Sequence, residues 1–461
     1  MRPRHPRPGI VSFRSRRLPC VQRLLLAAAL GLVWTVAVGQ SPQTQPNPAE
    51  QQPAATQATA EPQAPGPFDL TTTPRLTGEW DGARPWLEDH GVTLSLSMTN
   101  VFQQNCKGGL RTHNAHRVTG SYDLELTLDT GALKLWPGGT LYAHGEGSWG
   151  WGVSDLGYVG DLFGVNGDAA GPQEIQLSEL WYEQKFLEDK LRVRFGKVDS
   201  TLDFDTSAFA NDQTSQFLNN GLINAANIPF PDYGHGLQFI ATPLEWLYFG
   251  AGVFDAAASG KETGFNTAYH GRDDFFSIYE LGLTPTFTSP WGKLPGSYRF
   301  GLWYDPQPRA KFFNDLGGRI RTVPMKRDDV GFYTSCDQVV LPENPQVEGD
   351  QQGLSLFFRY AYAHADVNPI EDFWSVGGQY RGLLPTRDND VLGFGVAQGV
   401  LSERLRLTGA DPHRETALEL YYSIQLLPWL TLTPDLQWIL RPGGENGRDA
   451  FVAGARVQTA F

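Results

Sequence analysis

Residues 449–461 read DAFVAGARVQTAF. Phe451, Ala453, Ala455, Val457, Thr459 and Phe461 share one parity; Val452, Gly454, Arg456, Gln458 and Ala460 share the other. Alternate residues of a strand point to opposite faces. One face is therefore mainly apolar and closes on an aromatic, while the other carries Arg and Gln. Apolar-out, polar-in alternation marks a strand with lipid outside and water inside. A soluble sandwich could also carry such a strand, so the decision rests on the order in which the rest of the chain repeats it.

Upstream, helical periodicity disappears after Gly91. A train of alternating segments follows, separated by Gly, Pro, Asn and Asp, which is the all-β signal. Sixteen segments begin near Thr93, Ser121, Thr140, Ile175, Leu191, Gly234, Leu247, Ser277, Ser297, Gly331, Gly353, Ser375, Val391, Thr416, Leu430 and Asp449. Their links alternate. Short ones are Glu188 to Lys190, Leu244 to Trp246, Arg387 to Asp390 and Pro428-Trp429; long ones are Val153 to Glu174, Ser200 to Tyr233, Ala257 to Phe276 and Arg309 to Val330. Short turns at one rim and long loops at the other belong to outer-membrane barrels. Trp136, Trp246, Trp291 and Trp429 sit at or beside short turns, where an indole lies in the headgroup layer. The expected fold is all-β: a transmembrane antiparallel β-barrel of 16 strands with a short N-terminal periplasmic helix.

The start of the chain agrees. Residues 1–23 hold seven arginines and no acid, and Leu24 to Val38 is a short apolar run followed by small residues. This reads as a secretory signal peptide over residues 1–39. Its removal would take the formal net charge from −13 to −20, which excludes nucleic acid as a partner. Residues 40–75, rich in Pro, Gln, Ala and Thr, cannot bury a core and read as a disordered periplasmic spacer. Residues 76–92 read as a short helix and entry segment, with Pro85 in the first turn and Trp86-Leu87 as the apolar side. The barrel occupies 93–461. Cys106 and Cys336 fall on strands expected to lie far apart, too distant for the ~7 Å Cα reach of a disulfide, so two free thiols are expected.

With the strands laid out, the chain resembles the OprB-type carbohydrate-selective porins of Gram-negative outer membranes. The resemblance is carried by LTGEWDGARPWLEDHGVTLSLS (76–97), LWPGGTLYAHG (135–145), ELWYEQKFLEDKLRVRFGKVD (179–199), SYRFGLWYD (297–305), DQQGLSLFFRYAYA (350–363), SVGGQYRGLLPTRDNDVLGFGVA (375–397) and LELYYSIQLLPWLTLTPDLQWILRPGG (418–444). It implies passive, sugar-preferring diffusion through a sixteen-stranded barrel in the outer membrane, with small sugars such as glucose as substrates. Expected partners are outer-membrane lipids and the barrel-assembly machinery, which would read Phe461; a homotrimer is one candidate assembly. The spacer and the cysteine pair depart from the family pattern.

Parity also selects the lumen residues. Glu179, Trp181, Glu183 and Lys185 share one face; Leu180, Tyr182 and Phe186 share the other. Across a tight turn, Arg192 and Arg194 face the lumen while Leu191, Val193 and Phe195 face lipid. Sugar hydroxyls both donate and accept, and a sugar C–H face lies well on an aromatic ring. A wall of Glu179, Trp181, Glu183, Arg192 and Arg194 supplies those partners. His144 and Glu146, with Tyr142, share the lumen face of the third strand. Arg299, Trp303, Arg359, Arg381, Glu419, Asp435 and Arg456 also point inward. Charges of both signs argue against a pore for one ion sign.

The long segment 200–233 is expected to fold into the barrel and narrow it. Asp199, Asp203 and Asp205 are oxygen ligands suited to Ca²⁺, but a solvated acidic loop is the preferred reading, and no cofactor or resident metal is expected. Catalytic motifs such as G-x-S-x-G, H-E-x-x-H and the P-loop are absent from the sequence, which disfavours an outer-membrane enzyme. A general or anion-preferring porin, and a structural envelope protein tethered through the spacer, stay as alternatives.

Overall fold

A computed structural model describes residues 69–261, 274–313, 323–347 and 349–461. The expected signal peptide and most of the expected spacer lie outside the described residues. A 3₁₀ turn at Trp80–Gly82 leads into helix α1, Ala83–Asp89. Strands β1 Val92–Lys107, β2 His116–Asp129, β3 Gly139–Trp149, β4 Gln173–Phe186, β5 Leu191–Val198, β6 Gly234–Leu244, β7 Leu247–Asp255 and β8 Phe275–Leu283 follow. Next come β9 Thr286–Ser289, β10 Gly292–Asp305, β11 Arg309–Ala310, β12 Met325–Lys326 and β13 Asp329–Pro342. The chain continues through β14 Gly353–Ala363, β15 Ile370–Arg381, β16 Val391–Leu401, β17 Arg414–Leu427, β18 Leu430–Leu440 and β19 Ala450–Ala460.

Each barrel strand pairs antiparallel with its sequence neighbour, and β1 closes the sheet on β19 from Ser97↔Ala460 to Lys107↔Phe451. Seventeen strands make the main sheet; β9 only extends the β8 side of one hairpin by pairing with the start of β10, and the other sixteen close the barrel. The ribbon β11–β12 stands apart, in the link between β10 and β13. A sixteen-stranded closure is wide enough for an aqueous lumen. The links expected to be long, β3–β4, β5–β6, β7–β8 and β10–β13, all leave from one rim, but the alternation is incomplete, since link 343–352 at the short-turn rim is longer than link 364–369 at the other. Several strands start earlier than the polar punctuation suggested: β2 at His116, β10 at Gly292 and β15 at Ile370, because ladder pairing carries polar residues to the rims.

The two faces obey parity. On β10, Phe300 and Leu302 are 53% and 62% exposed to the outside, while Arg299 and Trp303 on either side of them are 3% and 2% exposed inside. Trp136, Trp246 and Trp291 are exposed at the short-turn rim. Trp429, at the same rim, donates its indole N–H to the Leu70 carbonyl at 2.8 Å. No helix among the described residues is long and apolar enough to cross a membrane; the strands do so.

Four further expectations change. Helix α1 buries Arg84, stacked 4.1 Å from the centroid of Trp80, and exposes Trp86. Its inner face is thus an Arg–aromatic contact and not the Trp86-Leu87 side. Phe461 does not project into lipid: it is 1% exposed, its N–H meets the Leu96 carbonyl, and Leu76 N–H bonds the Ala460 carbonyl at 3.0 Å. The entry segment therefore staples the β1–β19 seam. The third change concerns the acidic residues of segment 200–233, which the wall below accounts for. Cys336 is a free thiol and does not pair with Cys106, whereas Cys106 is disulfide-bonded, so the expectation of two free thiols holds for Cys336 alone.

The apolar core sits inside the barrel. Segment 200–233 enters the lumen as expected, burying Phe204, Phe217 and Leu222. Phe217 packs edge-on against Phe357 and Tyr421, with ring centroids 5.7 and 5.1 Å apart. Gly395 admits this loop: a Cβ there would lie 2.8 Å from Leu222 and 3.0 Å from Phe217, so only glycine leaves room.

Candidate functional site

Strands β4 and β5 are joined by the tight turn 187–190, and their register sets Glu183 opposite Arg194 and Lys185 opposite Arg192. On the other side, β3 sets Tyr142 opposite Trp181 and His144 opposite Glu179. Parity turns these side chains into the lumen, and the fold brings the predicted wall together.

The guanidinium groups are fully engaged. Arg194 donates through Nε to Glu183 Oε2 at 2.9 Å and through Nη1 to Asp203 Oδ2 at 2.6 Å. Arg192 reaches Glu183 Oε2 at 3.3 Å and Asp203 Oδ1 at 2.5 Å. Asp203 comes from the inward loop. Burial alone would raise its carboxyl, but Arg192 and Arg194 outweigh it and hold the group below the usual carboxylate range. Asp205 is likewise paired with Arg359, Nε to Oδ1 at 3.3 Å. Asp199 accepts from Thr201 N–H at 2.8 Å. Asp199, Asp203 and Asp205 are thus held by arginines and backbone donors. That replaces both the Ca²⁺ reading and the solvated-loop reading.

Trp181 is 4% exposed. One face stacks on Tyr142 at 4.8 Å and the other carries Arg194 at 4.1 Å. Its indole N–H donates to Glu179 Oε2 at 3.1 Å, which also accepts the Asp199 N–H at 3.0 Å. His144 Nε2 lies 3.1 Å from Asp123 Oδ1. Glu146 accepts from Gln176 at 2.7 Å and from the Tyr233 hydroxyl at 2.9 Å. Burial, then Glu179 and Glu146, push the carboxyl of Asp199, which lies beyond the end of β5, up to about 6. Asp123, His144 and Glu146 place one potential metal-ligating atom each within 4.8 Å of one another. The wall as a whole presents paired charges, hydroxyls and amides around a covered aromatic.

Of the other predicted lumen residues, Arg299 pairs with Asp337 at 3.0 Å. Arg359 donates to the carbonyls of Leu222, Asp205 and Ala210, and Arg456 to those of Gln213 and Gln216. Glu419 accepts the N–H groups of Leu218 and Asn219 at 2.7 and 2.8 Å. Arg381 instead sits at the short-turn rim with Gln351 and Asn389. Sequence reasoning missed the second constricting element. The β3–β4 link also folds inward, its Leu162 and Phe163 N–H groups held by Glu415 at 2.8 and 3.3 Å. Its Val165 carbonyl accepts from Gln103 and Gln437, and Gly167 N–H bonds the Leu218 carbonyl of the other loop. The signal was present: Val153, Val159, Phe163 and Val165 are apolar residues spaced through a glycine-rich link, more than a solvated loop requires.

Comparison with known proteins agrees with this geometry. The family model described as carbohydrate-selective porin, OprB family, matches residues 113–461. Porin B of Pseudomonas aeruginosa is 26% identical over 426 residues, covering 84% of this chain and 91% of that protein. The putative porin QuiX of Acinetobacter baylyi is 24% identical over 428 residues, covering 84% and 93%. A high-pH structure of Pseudomonas putida OprB superposes with a TM-score of 0.75 at 23% identity, over 85% of this chain and 99% of that one.

Proposed function

The chain belongs to the OprB family of carbohydrate-selective porins of the Gram-negative outer membrane, and on that premise we propose that it passes small neutral sugars, glucose among them, by passive diffusion. We assign the solute-facing surface to Arg192, His144 and Glu146, with Glu179, Glu183, Arg194 and the covered Trp181 as the buried support behind it. The observation that carries this reading is the closed ladder in which Arg192 and Arg194 share Glu183 and Asp203. Opposed charges cancel at short range, so the wall offers hydrogen-bond partners without the single-sign field that selects ions. A neutral polyol exchanges water for these donors and acceptors, whereas an ion loses hydration for little net field. Family and fold point to a channel, not to catalysis. Residues 1–39 we propose as the export signal and 40–75 as a periplasmic spacer.

Liposome swelling with a panel of sugars, amino acids and salts tests this. Glucose is expected to enter faster than amino acids of similar size. Equal entry of all solutes would leave a general porin, and no entry would leave a structural envelope protein.

A further inference from the structure

Charge and apolar surface also meet on the outside of the barrel. There β16 to β19 form a shallow hollow of about 310 Å³. Register sets its walls in rows: Val396, Leu418, Trp438 and Phe451 stand side by side on successive strands, with Phe394 and Leu420 in the row further from the long-loop rim. All six point away from the lumen, by the same parity that turns Ala417, Glu419 and Gln437 inward and buries them. Trp438 lies two residues before the end of β18 at Leu440, so the hollow opens just beneath the long-loop rim.

The edge of the hollow is cationic. Lys107, at the end of β1, pairs with Phe451 in the closing ladder. Arg414 opens β17 on the same parity as Leu418. Backbone bonds knit the neighbouring links into one sector: Gly109 N–H reaches the Arg448 carbonyl at 3.0 Å, His413 N–H the Gly444 carbonyl at 2.9 Å, and Arg441 N–H the Asp449 Oδ1 at 3.1 Å. Gly108 permits the first approach, since at its φ of +65° a Cβ would collide with the Asp449 carbonyl oxygen. Lys107, Arg414, Arg441 and Arg448 are all exposed, and none forms an ion pair among the described residues. Other cations at this rim are paired, Arg309 with Asp305, Arg327 with Asp274 and Arg406 with Glu403 and Asp411. Against the four unpaired cations stand two exposed acids, Glu445 and Asp449. A positive surplus therefore remains here, in a chain whose formal net charge is −13.

We propose that this face binds one acidic lipid of the outer leaflet, an acylated glycolipid that carries phosphate. Its phosphates meet Arg414, Arg441, Arg448 and Lys107, and one acyl chain lies in the hollow against Trp438 and Phe451. The inference rests on the outer-membrane barrel and not on what the lumen passes. Guanidinium groups take phosphate oxygens in bidentate pairs, and cations beside an apolar band select anionic headgroups. Ordinary lipid contact asks only for an apolar face; it gives no reason for a hollow with four unpaired cations at its edge. The same charges oppose a second copy of the chain, because they would face one another across a two-fold contact.

Native mass spectrometry of the detergent-purified barrel tests it, with lipid A as the probe beside its fully dephosphorylated form and phosphatidylethanolamine. A single lipid A is expected to stay bound under conditions that strip the other two. Arg414→Gln, Arg441→Gln and Arg448→Gln combined should weaken lipid A about a hundredfold, the loss expected for three cations at an anionic headgroup. These side chains are exposed and unpaired, so the variant should keep the heat-modifiable gel mobility of the folded barrel and its single-channel conductance. Trp438→Ala should weaken lipid A and its dephosphorylated form by similar factors. Arg327→Gln, a paired cation at the same rim, should change nothing. Equal retention of the dephosphorylated lipid, neutrality of the triple substitution or of Trp438→Ala, or an equal loss in Arg327→Gln overturns the site. Displacement of lipid A by inorganic phosphate at the same concentration also overturns it, leaving an anion site without a lipid. So does a stable oligomer that dissociates on either substitution, which would make this face an interface between copies of the chain.

Discussion

Strands β4 and β17 carry the same motif and use it differently. Each places two glutamates four residues apart on the lumen face, Glu179 and Glu183 on β4, Glu415 and Glu419 on β17, and all four are buried. On β17 both carboxylates grip backbone N–H pairs, one from each inward loop. On β4 they take side-chain donors, an indole and two guanidinium groups, with a single loop N–H at Glu179. One wall holds the constriction by its backbone N–H groups; the other holds it mainly by a side chain, Asp203, gripped by Arg192 and Arg194. Alternation decides that a carboxylate points inward; only what enters the barrel decides whether it becomes an anchor or a lining.

The largest expected effect breaks the anchored side outright. Deleting residues 206–222 removes the segment that fills the lumen, so single-channel conductance should rise several-fold and discrimination between glucose and ions should fall. Unchanged conductance would place the loop outside the permeation path. Glu419→Ala comes next. It strands the Leu218 and Asn219 N–H groups, at about 1–3 kcal/mol each, so the loop should open part of the time and the current should become noisy, with raised peak conductance. Glu419→Gln keeps one acceptor and should lie between. A quiet, unchanged Glu419→Ala channel would show that the apolar packing of Phe217 holds the loop alone.

On the lining side the expected effect is on selectivity. Arg194→Ala leaves Glu183 and Asp203 sharing Arg192, an unpaired buried charge of the kind that costs about 3–5 kcal/mol. Reversal potentials should shift toward cations and sugar block should weaken, with little change in open conductance. Equal sugar block in the variant would remove this wall from the sugar path.

The smallest effect concerns pH. The carboxyl of Asp199 is raised in the folded protein to about 6, above the ~3.9 of an unfolded chain. Its protonated form therefore favours the folded loop below that unfolded value, and this contribution is lost as pH rises through about 6. Cation preference should fall modestly between pH 7 and pH 5 as the lumen loses one negative charge, and Asp199→Asn should flatten that step. An identical pH dependence in the variant would assign the step to another group.

The barrel was legible because its information is local and redundant. Parity along each strand, the alternation of link lengths and the tryptophans at short turns each point to the same closure, and β11, β12 and β9 escaped only because two to four residues carry no period. The candidate wall was legible for the same reason, since a tight turn forces β4 and β5 to pair. The fate of Asp203 and Asp205 was not. A run of aspartates in a long link reads as solvated until Arg192, Arg194 and Arg359 are seen around it, and Arg359 donates to the Asp205 carbonyl from 154 residues away. The β3–β4 link hid its role similarly, since apolar residues in a loop show no periodicity to say which cavity they fill.

Which side of each strand meets lipid and which meets water is thus a property of the chain alone, because a two-residue period survives any global arrangement. Which lumen charges stay available to solute is settled only by tertiary structure. Glu419 and the Leu218 N–H it accepts are 201 residues apart, and Coulomb and hydrogen-bond partners at that separation leave no mark in the spacing of either segment. They meet because the barrel closes and two loops have nowhere but its interior to bury their apolar side chains.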